Sequence, residues 1–270
     1  MKIEIKTITP EYASELIKKN AFNRNLNKST VDYYASQIIR GQWQLNGDSI
    51  KIAKNGNLLD GQHRLFAIIK SNTPIDAVIC YDVDNSAFDT IDQGKTRTGG
   101  DVLGILSVKN ATTVSGIIGK YFLLSNGNRM YEQVTANKML KFSKRDIVNE
   151  FSENEKLYTE IAIFSRKLWK NKKLMNASAI GGYIAFLIKD KKHSFELVGN
   201  FFNQLFTGEN IENNTIRVLR EKIIDASLKG YKMTDSLKYE LIVKTWNAYV
   251  SGKEYKQLQI SESERPLKFL

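Results

Sequence analysis

The sequence predicts an α+β protein, a small mixed β-sheet with helices followed by an all-helical domain. Three observations carry this. Short apolar stretches with strand-like alternation occur only before about residue 95, and 3.6-residue periodicity dominates from about residue 100. The charge changes across the same seam: residues 1–95 hold 12 basic and 11 acidic side chains, whereas residues 96–270 hold 28 and 18. The expected domains are therefore 1–95 and 96–270, with the seam inside residues 92–100.

The elements follow in order. Lys2–Ile8, KIEIKTI, alternates with period two and reads as a strand. Thr9 can cap a helix whose first residue is Pro10, with Leu16 and Ile17 on its buried side. FNRNLNK is a polar loop. Ser29 is expected to begin a second helix, with Asp32 three residues on to complete a capping box. Its apolar stripe is Val31, Tyr34, Ala35, Ile38 and Ile39, and Gly41 can end it in a left-handed conformation. GDSIKIAKNGNLLDG predicts a hairpin with a type I′ turn at Asn55-Gly56, Ile50 and Ile52 on one strand and Leu58 and Leu59 on the other. Asp60-Gly61 ends that strand, QHRLFAIIKSN makes a helix, PIDAVICYDV a buried strand and SAFDTID a short helical turn.

The second part carries helical periodicity near 101–107, 110–125, 144–151, 154–170, 177–190, 194–206, 214–229 and 236–250, with Ser143 a helix cap. Trp169 and Trp246 sit at core spacing among aliphatics. The closing KQLQISESERPLKFL is weakly patterned and reads as an arm or tail. The basic runs WKNKK and KDKKH fall at helix ends, where cations suit the dipole, and His193 is given no role.

Composition bounds the function. With 42% hydrophobic and 26% charged residues the chain can bury a core. No apolar run reaches the ~20 residues that span a bilayer, and the N-terminus lacks a secretory pattern, so no membrane partner and a cytoplasmic location are expected. Cys80 is the only cysteine, which excludes an internal disulfide and a cysteine metal cluster. The net charge of +11 favours a polyanion such as DNA. The plainer alternative is lysine-rich surface spelling, since 30 lysines accompany 10 arginines.

The candidate site is GNLLDGQHRLFAII, Gly56 to Ile69. A strand that stops at Asp60-Gly61 and turns into a helix offers free N–H groups and a helix dipole to an anion. Gly61 lets a phosphate approach the backbone. Arg64, one turn in, can fork onto two oxygens. His63 can relay a proton, and Asp60 can hold Mg²⁺ or act as base. The plainer alternatives are that Asp60 caps the helix and that His63 is a satisfied, partly buried histidine.

From Phe22 to Ile79 the chain resembles the N-terminal domain of the ParB/sulfiredoxin superfamily. The shared landmarks are an arginine-containing loop (FNRNLN), a helix ending in glycine (STVDYYASQIIRG), a strand, a turn, LLDGQHRLFAIIKSN and TPIDAVI. D-G-Q-H-R is similar to the motif of DndB-type DNA sulfur-modification proteins and related phage or mobile-element proteins; free-serine kinases of the superfamily carry D-G-H-H-R. The resemblance implies nucleotide binding, ATP or CTP with Mg²⁺, at Gly61, Gln62, His63 and Arg64, with Arg24 approaching from the polar loop. Departures narrow the reaction. Sulfiredoxins need a reactive cysteine where Gln62 stands, which excludes peroxiredoxin repair. ParB proteins hold metal with a glutamate in G-E-R-R, for which uncharged Gln62 is a poor substitute, leaving Asp60 to take the metal. ATP-type hydrolysis or phosphoryl transfer fits D-G-x-H-R better than clamp-type CTP hydrolysis.

A second basic cluster, DQGKTRTGGD, brings Lys95 and Arg97 together with Thr96 and Thr98 on a glycine-rich loop. It lacks P-loop spacing. It is expected to fold over the DGQHR turn and share its phosphate; the plainer alternative is a connector with a cap at Thr98. The expectation is thus a Mg²⁺-dependent NTPase or phosphotransferase in DNA transactions of a phage or mobile element, with homodimerisation left open. The alternatives are a non-catalytic DNA-binding or regulatory protein, and a metal-dependent nuclease in which Asp48, Asp89 or Asp92 would join Asp60.

Overall fold

In a computed structural model of the chain, residues 1–20, 23, 25–91, 97–125, 142–171, 174–231, 233–265 and 267–270 are described. The chain divides into two compact units, Met1–Thr96 and Arg97–Leu270. The architecture is α+β: an open four-stranded mixed sheet in the first unit, helices in the second. Among the described residues no helix is long and apolar enough to cross a membrane.

In the N-terminal unit the strands are β1 (Lys2–Ile8), β2 (Ser49–Ala53), β3 (Leu58–Asp60) and β4 (Ile75–Val83), in the order β1-β4-β2-β3. β4 runs antiparallel to β1 and parallel to β2; β2 and β3 form the hairpin. The helices are α1 (Pro10–Ile17), α2 (Lys28–Ile39) and α3 (Gln62–Ser71). Their apolar residues, Leu16, Val31, Ile38, Leu65 and Ile68, form one core with Ile8, Ile50, Ile52, Leu58, Ala77 and Ile79 of the strands. A smaller cluster of Ala53, Leu59, Cys80 and Val83 packs with Ala87 and Ile91. Cys80 is therefore a buried structural residue. β1 is an edge strand, and its Ile3 and Ile5 are exposed despite their alternation.

Local chemistry explains the termini. Thr9 caps α1 with Pro10 at its first turn, as predicted. α2 starts earlier than predicted. Its cap is Asn27, whose side chain accepts from the Thr30 amide at 3.1 Å, because asparagine caps as well as serine and lies two residues closer to the loop. Asp32 does not cap; its carboxylate pairs with Lys70 of α3. Ile39 leaves the stripe and is exposed, while Gln37 is buried. Gly41 is left-handed, as predicted.

The hairpin turn also differs. Type I′ needs φ > 0 at Asn55 and Gly56, and only Gly56 has it, at 84°. The Gly56 amide bonds the Ala53 carbonyl at 2.8 Å, and the Ala53 amide bonds Asn57 O at 2.8 Å. This is a three-residue loop, a type I turn followed by a left-handed glycine bulge. The Asn55 side chain accepts from the Asn57 amide at 3.1 Å, which holds the turn.

The helical unit comprises α4 (Gly99–Ile105), α5 (Ala111–Ser125), α6 (Lys144–Glu153), α7 (Glu155–Asn171), α8 (Ala177–Lys189), α9 (Phe195–Thr207), α10 (Asn214–Leu228) and α11 (Asp235–Ser251) among the described residues. Thr98 and Ser143 form capping boxes with Asp101 and Asp146. α5 and α8 approach closely through Gly181 and Gly182; a Cβ at Gly182 would come within 2.4 Å of the Lys120 side chain. Trp246 is fully buried among Phe201, Tyr249 and the His193 ring.

The C-terminal segment is not a free tail. Leu258 and Phe269 are buried in the helical core. Arg265 grips buried Glu240 with two bonds of 2.8 and 3.0 Å, and Lys244 pairs with Glu264 at 2.6 Å. His193 Nε2 meets the Leu270 carbonyl at 3.0 Å. Weak periodicity concealed this because the segment docks as irregular chain with one 3₁₀ turn at Glu262–Glu264, through isolated apolar anchors.

Candidate functional site

The site grows from the hairpin register. A bulge lies between Lys51 and Ile52, so Lys51 stands opposite Asp60. Side chains opposite each other on antiparallel strands meet directly, and Lys51 Nζ reaches Asp60 Oδ2 at 2.8 Å. The chain then turns at Gly61, with φ 105°, a conformation suited to glycine. A Cβ there would also lie 2.9 Å from Ile50 Cγ1. Gly61 is the N-cap of α3 and no side chain caps this helix. Asp60 is therefore not the cap; its Oδ1 instead accepts from the Gly61 amide at 2.6 Å.

Arg64, four residues on, returns over the same carboxylate. Its Nη2 donates to Asp60 Oδ2 at 3.1 Å and to the Ser49 carbonyl at 2.8 Å. Its Nη1 is buried with no hydrogen-bond partner among the described residues, a position that costs about 1–3 kcal/mol when left unmet. The side chains of Lys51, Asp60 and Arg64 retain 28%, 15% and 13% of their exposure. Two cations thus share one carboxylate, and the cluster carries a net positive charge in a poorly solvated place.

The polar loop before α2 lies on this junction. Asn23 Nδ2 bonds the Leu58 carbonyl at 2.7 Å, and Asn20 Nδ2 bonds Gln62 Oε1 at 3.2 Å. The Asn27 amide donates to His63 Nε2 at 3.1 Å. An amide only donates, so Nε2 is unprotonated in this arrangement. His63 and Gln62 are buried. Arg24 lies outside the described residues, between Asn23 and Asn27, which both contact the junction.

Of the predicted residues, Asp60, Gly61, Gln62, His63 and Arg64 are brought together. Lys95 lies outside the described residues. Arg97 is exposed at the start of the second unit, next to Thr98, which caps α4. Among the described residues no group of three His, Cys, Asp or Glu side chains is arranged to hold a metal ion. Asp60 is instead taken up by two cations and an amide. Sequence reasoning missed Lys51, whose alternation with Ile50 and Ile52 marks only an outward side chain. It also missed Asn20, Asn23 and Asn27, which read as loop polarity.

No family model matches the chain, and neither a curated protein nor a solved structure does.

Proposed function

We propose that the N-terminal unit binds the phosphates of a nucleotide, ATP or CTP, at the β3–α3 junction, as its resemblance to the ParB/sulfiredoxin superfamily implies. The observation that carries this reading is the buried Nη1 of Arg64, without a hydrogen-bond partner among the described residues, in a cluster where Lys51 and Arg64 outnumber Asp60. An anion would satisfy the nitrogen and balance the charge. Gly61 and the uncapped first turn of α3 supply a backbone surface of the same polarity. In this reading Gly61, Gln62 and His63 present the helix start, and Arg64 and Lys51 take the charge, with Arg24 and Lys95 as further cations. Mg²⁺ would accompany the nucleotide, with Asp60 as its nearest carboxylate. The basic helical unit, including Arg97, would engage DNA.

Hydrolysis or phosphoryl transfer by this site requires a base, and Asp60 or His63 is the candidate. A second reading, a non-catalytic nucleotide-responsive regulator of DNA transactions, is favoured by their present bonds. Asp60 accepts from three donors, and His63 Nε2 from Asn27. Either base would have to leave a partner before taking a proton.

Calorimetry with ATP and CTP, with and without Mg²⁺, tests the binding. Arg64→Lys should weaken it at least tenfold, about 1.4 kcal/mol, because lysine keeps the charge but lacks the fork. Phosphate release under the same conditions separates the two readings. Absence of binding by both nucleotides would remove the proposal.

A further inference from the structure

The helical unit contains a cavity of about 370 Å³ between α5, the start of α8 and the start of α11. That volume falls in the range of small-molecule sites. One wall is apolar, from Leu123, Met175 and Tyr183. The polar wall holds Lys120 and Lys238 against the single carboxylate of Asp235. Lys120 Nζ lies 5.2 Å from the centre of the Tyr183 ring, which places its ammonium beside that aromatic face. Burial pushes the Lys120 ammonium below its ordinary range, while Asp235 opposes this.

Gly119 adds an independent observation. It sits inside α5, where glycine costs about 0.8–1.0 kcal/mol relative to alanine. The other glycine of α5 is explained by contact: a Cβ at Gly116 would meet Ser178 Oγ at 2.4 Å. A Cβ at Gly119 would meet no atom within 4 Å among the described residues. Packing among the described residues does not require this glycine, and it lines the cavity.

We propose that this cavity binds a small amphipathic anion, a carboxylate or phosphate head on an apolar body, with Lys120 and Lys238 at the head and Leu123, Met175 and Tyr183 along the body. The cavity is bordered by Asn176, the cap of α8, and Asp235, the first residue of α11. Both helix starts favour negative charge. The site is separate from the β3–α3 junction and does not depend on the nucleotide reading.

Calorimetry on the full chain with octanoate, phenyl phosphate and octylammonium tests it. Both anions should bind, and octylammonium at least tenfold more weakly. Gly119→Leu, which adds bulk at the cavity lining, and Lys238→Met should each weaken octanoate at least tenfold, while Lys54→Met, at an exposed surface lysine of the other unit, leaves octanoate unchanged. Gly119→Ala should raise the unfolding temperature of the helical unit by about 2–4 °C while weakening octanoate, so the test survives if the leucine variant does not fold. No heat from either anion, equal affinity for octylammonium, or unchanged octanoate affinity in Gly119→Ala and Lys238→Met would overturn the proposal.

Discussion

Each unit buries a carboxylate against a lysine, and the two arrangements differ in balance. In the helical unit Glu150 pairs with Lys189, and the same carboxylate oxygen accepts from Tyr158 Oη at 2.7 Å and Asn154 Nδ2 at 3.2 Å. The Lys189 ammonium also lies 4.7 Å from the Tyr121 ring centre. Glu150 meets one cation, while a second, exposed carboxylate, Asp190, accepts from Tyr121 Oη at 3.0 Å; burial pushes the Tyr121 phenol up to about 12. In the N-terminal unit Asp60 meets both Lys51 and Arg64, and one guanidinium nitrogen has no hydrogen-bond partner among the described residues. Exposure is similar, 19% and 13% for Lys189 and Glu150 against 28% and 15% for Lys51 and Asp60. The difference therefore lies in charge count. A balanced buried pair is complete as structure, whereas an unbalanced one has capacity for a further anion.

Single substitutions can break this contrast. Lys189→Met should have the largest effect, a loss of about 3 kcal/mol in urea unfolding, because Glu150 would stay buried without a cation. Lys51→Met should be milder, about 0.5–1 kcal/mol, since Asp60 keeps Arg64 and the Gly61 amide. The same variant should lower nucleotide affinity about tenfold, which corresponds to about 1.4 kcal/mol. Equal stability losses in the two variants would make Lys51 a structural partner and weaken the case for an anion.

The smallest effect concerns a pair nearer solvent. The hydrogen bond from Lys244, helped by the Ser261 amide, holds Glu264 down at about 2, below the ordinary 4.5. A depressed carboxylate stabilises the fold above its unfolded value and loses that contribution as pH falls through the folded one. The hydrogen-exchange protection of residues 258–265, taken relative to the intrinsic rate at each pH, should therefore fall between about pH 4.5 and pH 2. Lys244→Met should show the lower protection already at neutral pH. An unchanged pH profile in that variant would show that apolar anchoring by Leu258 and Phe269 alone holds the segment.

Much of the fold was legible because local rules decided it. Thr9-Pro10, Thr98 and Ser143 start helices where cap chemistry says they should, and β4 was visible as a buried apolar run. Errors arose where two local solutions compete. Asn27 and Ser29 are both good caps, and the hydrogen bond from the Asn27 amide to His63 fixes the earlier one. Asn-Gly suits both a two-residue and a three-residue loop, and only the backbone bonds of Ala53, Gly56 and Asn57 distinguish them. The C-terminal segment was opaque because an irregular strap has no period of its own.

The candidate site divides along the same line. The sequence by itself determined that Asp60, Gly61, Gln62, His63 and Arg64 share one turn, since a strand ending in Asp-Gly before an apolar helix leaves the chain little choice. Tertiary structure decided which charges meet there. In a hairpin without the bulge Lys51 would face Leu59; the one-residue shift sets it opposite Asp60. Chain folding likewise brings Asn20, Asn23 and Asn27 onto Gln62, Leu58 and His63 across about forty residues. Register and long-range hydrogen bonds depend on packing of the whole unit, so the charge balance of this turn could not be read from its five letters.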